Sequence, residues 1–487
     1  MHHQRLEKRT TLTCDSSTGS SVRAPKSPRT NSICCCIVLA LSSIQTQAEG
    51  QCPVSFSSPV ALSAGAFPVD IAVDDLNHDG RVDLAVANNS SGTVSVFLGN
   101  GDGSFQPRTD YTVGSYPNSI AIADVDGDGH PDLLVDVTGL YLVALMLGRG
   151  DGSFQSPINF SSGQYASTLF TGHLNSDMRP DLALANFVNG SIYTITNNGN
   201  GTFGAPVEWS AGSGCSYVSI DDLNGDGKAD LLSANFYANT VTVRLGNGNG
   251  TFQQATNYPA GATPNWLCTA DFNGDGRIDV AVTNRDTGNV SVLLGNGDGT
   301  LQSSIAFATG GSRPDSLTVA DLNGDGKSDL AVANRNSNSV SILLGNGDGT
   351  FQTAVTYPAG SQPFSVKAVD LNGDGRLDLI VADLASNTIS VLLNISALPE
   401  PPTNLRASAR MICGGASAEL HATVPPGFTV DWFANSCAGA LIGTGATISV
   451  SPPVTTQYFA KSRNVQTGCR SPECATIIVR VCNPLAN

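Results

Sequence analysis

The sequence predicts an all-β chain, a seven-bladed β-propeller followed by a β-sandwich. Three observations carry this. Glycine supplies 52 of 487 residues while charged residues make up 14% and aromatics 6%, which suits many short strands joined by tight turns rather than helices. A nine-residue acidic string recurs seven times, starting at Asp75, Asp124, His173, Asp222, Asp271, Asp321 and Asp370, always 49 or 50 residues apart. No stretch keeps a 3.6-residue apolar period over three turns, which removes α/β solenoids.

Residues 1–48 read as a signal peptide. Arg5, Lys8, Arg9, Arg23, Lys26 and Arg29 outweigh Glu7 and Asp15, the apolar run Ile33 to Leu41 follows, and a small-residue site ends at Ala48. That run is about half a bilayer span, and no other segment approaches one, so the mature chain is expected to be secreted or displayed at the cell surface. A monomer is the expected state. Losing six basic and two acidic residues leaves it four charges more negative than the -16 of the full sequence. Nucleic acid and anionic membrane surfaces are therefore excluded as partners, and a cation is favoured.

Residues 49–397 form the propeller. In the sixth unit a short alternating run enters the acidic loop before Asn323. A second strand leaves it from Asp329 to Asn334, a third runs from Ser339 to Asn346, and a turn containing GDG leads to a fourth from Phe351 to Gly360. Four strands in about 49 residues make one propeller blade. The seventh unit stops at Asn394 without its fourth strand, and an orphan strand from Val54 to Gly65 precedes the first unit. Pairing the two would close the ring and leave only short protected edges.

In the string D-x-[DN]-x-D-G-x-x-D, side chains at positions 1, 3, 5 and 9 and the carbonyl at position 7 can converge on one point, with Gly at position 6 allowing the sharp turn. The expected ligand sets are Asp75, Asn77, Asp79, Arg81 and Asp83; Asp124, Asp126, Asp128, His130 and Asp132; Asp222, Asn224, Asp226, Lys228 and Asp230. They continue as Asp271, Asn273, Asp275, Arg277 and Asp279; Asp321, Asn323, Asp325, Lys327 and Asp329; Asp370, Asn372, Asp374, Arg376 and Asp378. Five or six hard oxygen donors describe Ca²⁺ better than Mg²⁺. An EF-hand would need Glu at position 12, where the first loop has Val86 and the sixth Val332. Turn preference alone would not gather carboxylates that repel one another without a cation. About six calcium ions are expected. The third loop has His173 at position 1 and Met178 in place of Gly, so its site is expected to be weak or empty. The GDG strings such as Leu98 to Gln106 carry at most one carboxylate and read as hairpin turns.

The unit, with its acidic loop and the FGAP string at Phe203–Pro206, resembles the FG-GAP/VCBS repeat. That family is similar to the integrin α-subunit propeller and to some sugar-binding propeller lectins. The resemblance implies the propeller and the metal, and leaves the ligand open among adhesion receptors, lectins and occasional enzymes.

A Pro-rich linker leads into residues 398–487, whose short alternating strands have sandwich spacing. Trp432 and the TTQYFA string make this segment resemble Ig-like modules of bacterial surface and secreted proteins. Eight of 12 cysteines survive removal of residues 1–48, five of them (Cys413, Cys437, Cys469, Cys474, Cys482) in the tail, which in an exported chain reads as disulfides. Cys52 is the expected sixth partner, and Cys215 and Cys268 are expected to be buried free thiols.

Metal loops and GDG turns should share one face, because they join strands 1–2 and 3–4. The opposite face carries the 4–1 and 2–3 loops. Eight residues before each metal loop stand Phe67, Tyr116, Tyr165, Gly214, Thr263, Arg313 and Gln362, with Trp266, Phe187, Phe236 and Tyr237 nearby. Tyr116, Tyr165, Phe236, Tyr237, Trp266 and Arg313 are the candidate ligand-binding residues, since aromatics with Arg on a rim suit sugar stacking or a protein hot spot. The alternative is that each packs between blades. No zinc spacing, nucleophile elbow or phosphate loop is present, so the expected function is calcium-dependent adhesion or binding of an extracellular protein or glycan. The rivals are a carbohydrate-active enzyme (a polysaccharide lyase or glycosidase) and a scaffold without a ligand.

Overall fold

The structure, a computed structural model, describes residues 53–396, 399–413, 415–437, 439–465, 468–471 and 473–482. The expected signal peptide and Cys52 lie outside these residues. Seven four-stranded antiparallel sheets follow the seven units. The sixth runs Pro314–Ala320, Asp329–Asn334, Ser339–Leu343 and Val355–Pro358.

Burial follows position in the blade. The second strand of every blade is buried at all six residues, because a neighbouring blade covers each of its faces. Strings such as DLAVAN are therefore nearly continuous apolar runs rather than alternating ones. The fourth strand is the outer edge and is mostly exposed in each blade. Its few residues and prolines at 259 and 358 leave a poor template for pairing with another chain.

The ring closes as expected. Val60–Ser63 pairs antiparallel with Thr388–Val391 and supplies the fourth strand of the seventh blade. Upstream, Phe56 bridges Asn394 and meets the Tyr357 ring edge-on at 5.2 Å. Around the axis, Asp70 of the first blade accepts hydrogen bonds from Ser119 Oγ of the second (3.0 Å) and Ser365 Oγ of the seventh (3.1 Å).

A belt of buried polar residues ends the second strands of six blades, Asn88, Asn186, Asn235, Asn284, Asn334 and Asp383, with Val137 at this position in the second blade. The amides tie strands two and three, with Nδ2 donating to Ser95 Oγ at 2.8 Å from Asn88 and to Thr242 Oγ1 at 2.7 Å from Asn235. Glycine precedes the next strand where this amide approaches; a Cβ on Gly261 would lie 2.3 Å from Asn284 Cγ. The seventh blade carries a carboxyl instead, and in the second a buried carboxyl, Asp136, stands one residue before the strand end. Burial pushes Asp136 up to about 8 and Asp383 up to about 6, against hydroxyl donation from Thr138 and Ser390.

A proton held to about pH 8 in the folded chain and released near 4 in the unfolded chain makes stability fall as pH rises through that window. Asp136→Asn should therefore leave the melting midpoint nearly unchanged at pH 4.5 and raise it by several degrees at pH 8.5. The gap corresponds to a few kcal/mol at roughly 1.4 kcal/mol per pH unit. Thermal scans of variant and parent with parallel pH profiles would contradict this.

The tail has a three-stranded sheet (Thr403–Ala407, Ala418–Thr423, Thr447–Val450) and a five-stranded one that includes Phe428–Ala434 and Thr456–Asn464. Trp432 is fully buried among Leu420, Val430 and Val479, and its indole N–H donates to Gly445 O at 2.9 Å. Disulfides join Cys413 to Cys482 and Cys437 to Cys474. Cys469 is disulfide-bonded as well. Cys215 and Cys268 are free, the first buried and the second only half-buried, a partial departure from expectation. Among the described residues, no helix is long and apolar enough to cross a membrane.

Candidate functional site

The acidic loops fold on their own backbone N–H groups. In the first blade, Asp75 accepts from Asp79 N–H (3.0 Å) and Gly80 N–H (2.8 Å), Asn77 Oδ1 accepts from Asp79 N–H (3.1 Å), and Asp79 accepts from Arg81 N–H (3.0 Å). The contact from position 6 to position 1 recurs at Gly129, Gly227, Gly276, Gly326 and Gly375, between 2.7 and 2.9 Å. Positions 1, 3 and 5 are thereby brought together in six blades. In the second blade, ligand oxygens of Asp124, Asp126 and Asp128 all lie within 4.8 Å of one another. Burial, with the neighbouring Asp128 and Asp124 carboxylates, pushes Asp126 up. In the sixth blade, the carboxylate oxygen Asp325 Oδ2 is buried without a hydrogen-bond partner. Such a donor set fits a hard cation.

Position 9 does more than the sequence suggested. Asp83 is fully buried; Oδ2 accepts from Leu76 N–H (2.9 Å) and Oδ1 from Gly99 N–H (2.7 Å), fastening the loop to the strand 3–4 turn. The same pair of bonds holds Asp132, Asp230, Asp279, Asp329 and Asp378. Burial pushes Asp132 and Asp230 up to about 6 and Asp329 to about 8, and the loop carboxylates add to the shift. The side chains at position 7 turn back on position 5: Arg81 pairs with Asp79 at 2.6 Å, Lys228 with Asp226 at 3.0 Å and Arg376 with Asp374 at 2.5 Å, with Arg277–Asp275 and Lys327–Asp325 longer. His130 instead meets His78 of the first blade, ring nitrogens 3.3 Å apart.

The third loop has a different hydrogen-bond pattern from the other six. His173 Nδ1 lies 3.0 Å from the Arg179 carbonyl at position 7, so the imidazole occupies an oxygen that the other loops leave open. Asn175 turns its amide to Asp181 (3.0 Å), and Met178, 80% exposed, takes a φ of 62° where the other loops have Gly. Asp181 still accepts from Leu174 and Asn197 N–H.

Acidic loops and GDG turns share one face. Gly103 N–H donates to Leu371 O, Gly250 N–H to Leu174 O and Gly349 N–H to Phe272 O, so each turn reaches the loop of the preceding blade. The turns themselves are Asx-capped, as where Asp102 Oδ1 accepts from Ser104 N–H and Oγ.

The opposite face shows a feature that sequence reasoning missed. The residue eight before each loop has left-handed backbone in six blades: Phe67 (φ 62°), Tyr116 (61°), Gly214 (73°), Thr263 (55°), Arg313 (55°) and Gln362 (57°). Only Gly adopts this without strain. The conformation is held from both sides. The carbonyls of Phe67, Tyr116, Thr263, Arg313 and Gln362 accept from the 2–3 turn that follows, at 2.8 to 3.2 Å. The N–H groups of Phe67, Thr263 and Gln362 donate to Asn387, Asn239 and Asn338 of the preceding turn, each at 2.9 Å. The only signal in the sequence was the Asn recurring in the 2–3 turns.

Of the candidate ligand-binding residues, Tyr116, Tyr165 and Tyr237 are exposed, and Phe236 is half-buried against Tyr237 and Phe187. Tyr165 lines a 350 Å³ pocket with Tyr141, Gly163, Gln164 and Val188. Phe236 and Arg313 line a larger one of 610 Å³. Trp266 is elsewhere. It is 7% exposed on the axial strand, tilted against Tyr217 at 4.3 Å and under Lys367 Nζ at 5.6 Å. It lies within the register shift between Pro264 and Leu267 and is buried with Leu267, which corrects its expected place on the rim.

Among known proteins, the FG-GAP-like repeat matches residues 75–135, 173–233, 222–282, 271–332 and 321–381, and the Ig-like domain described as CHU_C associated matches residues 399–484. Among solved structures, BBS1N in complex with ARL6DN is 13% identical, covering 70% of this chain and 96% of its own, at a TM-score of 0.50. The periplasmic gluconolactonase PpgL of Pseudomonas aeruginosa is 17% identical, covering 62% and 88%, also at 0.50. An Agrocybe aegerita lectin is 20% identical, covering 70% and 86%, at 0.46. At these identities the likeness is one of fold alone. The comparison with curated proteins finds no match. With matched repeats over more than half of its 487 residues, the chain belongs to the FG-GAP-like repeat family and ends in an Ig-like domain of the CHU_C-associated kind.

Proposed function

We propose that this chain is an exported, calcium-stabilised binding protein that engages an extracellular glycan or protein through the face opposite its acidic loops. The observation that supports this most is the left-handed residue shared by six blades. Strain of about 1–3 kcal/mol per non-Gly residue persists only where surrounding contacts over-determine it, and such positions cluster at ligand clamps. Here the backbone is the same while the side chain changes from Phe to Tyr, Thr, Arg and Gln, the pattern of a fixed frame presenting variable contacts. The two disulfides and the lack of a membrane-crossing helix among the described residues fit an extracellular setting.

In the acidic loops, oxygens at positions 1, 3 and 5 and the position-7 carbonyl would hold Ca²⁺ in blades 1, 2 and 4 to 7. The ion would supply positive charge that cancels the crowding of carboxylates and stiffens the hairpins. The binding face lies on the other side of the ring, so calcium acts through the frame.

A glycan array and a polysaccharide depolymerisation assay, both in millimolar calcium, test the reading. Saturable binding without product is expected, weakened about tenfold or more by Tyr165→Ala together with Tyr141→Ala if the ligand sits in that pocket. New reducing ends or unsaturated sugars would replace the binder by an enzyme.

A further inference from the structure

Across blades four to six, the loop face gathers three arginines around one carboxylate. Asp315, fully buried, lies 2.7 Å from Arg285 Nε, 3.6 Å from an Arg335 terminal nitrogen and 3.8 Å from Arg313 Nε. The arginines come from three different loops: the 2–3 turn of blade five, the turn of blade six, and the strained 4–1 connection between them. Gln362 Oε1 accepts from Arg335 at 3.1 and 3.2 Å, and the guanidinium of Arg285 lies 5.4 Å above the Phe236 ring. Arg313 Nε is buried with no hydrogen-bond partner. The carboxylate that lines the adjoining pocket is Asp286, which is exposed. One positive charge is left over, and the three guanidiniums repel one another; burial, with Arg313 and Arg335 beside it, pulls Arg285 down against the attraction of Asp315.

This surplus stands out in an acidic protein. Five basic residues of the other face, Arg81, Lys228, Arg277, Lys327 and Arg376, are paired with the position-5 carboxylate of their own loop. Arg285 and Arg313 open instead on the 610 Å³ pocket, walled also by Thr287, Ser312, Asn336 and Phe236. Guanidiniums recognise planar carboxylates in a bidentate manner. Hydroxyl and amide groups beside an aromatic edge suit a sugar ring, whereas a peptide would seek an unpaired strand edge or apolar side-chain pockets. The volume holds a short oligosaccharide rather than a single small ion.

We propose that this pocket binds the carboxylate of an acidic saccharide, a uronate residue within a chain, through Arg313 and Arg285. The proposal rests on the binding reading of this face and narrows its ligand class.

Calorimetry on the mature protein in calcium tests it with three probes: trigalacturonate, its fully methyl-esterified form, and tetraglutamate. Trigalacturonate should bind saturably and the ester should not. Arg313→Gln should weaken binding about ten- to hundredfold, the loss expected for one charge-assisted hydrogen bond. Arg313→Lys should recover part of that loss, and Arg406→Gln, the same charge removed from the exposed tail surface, should change nothing. Matched thermal scans show whether each variant is folded. Equal binding of acid and ester, indifference to Arg313→Gln, or preference for tetraglutamate would each overturn the uronate assignment. A neutral glycan bound through Tyr141 and Tyr165 would overturn it too while leaving the wider binding reading standing.

Discussion

Chelation of the purified mature protein is expected to lower its melting midpoint by about 15 °C or more, and restored calcium should reverse the shift. An ion that binds only the folded chain stabilises by RT ln(1 + [L]/Kd), about 2.7 kcal/mol per site at a hundredfold excess over Kd. Even four occupied loops would then exceed about 10 kcal/mol, and a domain of this size moves roughly 2 °C per kcal/mol. The loops are also where carboxylates crowd, as Asp124, Asp126 and Asp128 show, so removing the ion restores a repulsion as well as losing a ligand. The effect should divide among blades. Asp226→Ala should remove about one sixth of it, and His173→Ala should leave it unchanged, because the imidazole already sits on the carbonyl an ion would need. An unmoved midpoint in excess chelator would refute structural calcium.

Truncating the mature chain at Gly65 should abolish cooperative folding. The segment removed supplies the strand Val60–Ser63, the ring contact of Phe56 with Tyr357, and the Val54 carbonyl that accepts from the Tyr357 hydroxyl at 2.6 Å. Without it, Thr388–Leu392 becomes an unpaired edge beside the first blade. The milder change Phe56→Ala should cost about 3–5 kcal/mol by leaving a cavity. Circular dichroism and denaturant titration would measure both, and a synthetic peptide covering residues 53–65 should rescue the truncated chain in trans. A truncated protein with the parent's transition would show that the ring does not need its clasp.

The repeat made the architecture legible because local chemistry recurs at a nearly fixed interval: each Asp-Gly-rich loop announces a hairpin, and seven copies 49 or 50 residues apart announce a ring. The same periodicity exposed the recurring acidic-loop positions and the departure from them at His173. What the sequence did not show arises between blades. The Asn and Asp residues ending the second strands, from Asn88 to Asp383, look like turn formers, yet they are buried by a neighbour that only the assembled ring supplies. Trp266 reads as a rim aromatic because its number falls near the loop, whereas the register shift between Pro264 and Leu267 leaves both Trp266 and Leu267 buried in the core. Arg285, Arg313 and Arg335 lie 28 and 22 residues apart in sequence, on three loops, and nothing local hints that all three share Asp315.

Because Asp181 keeps both of its backbone bonds in a blade whose loop has lost its ion-binding pattern, anchoring and coordination can be inherited separately. A unit whose first carboxylate mutates still docks in its slot. Copies of the motif can then drift, lose a cation and acquire a different surface one at a time, and a lineage built by duplicating such units could diversify its contacts without first rebuilding its frame.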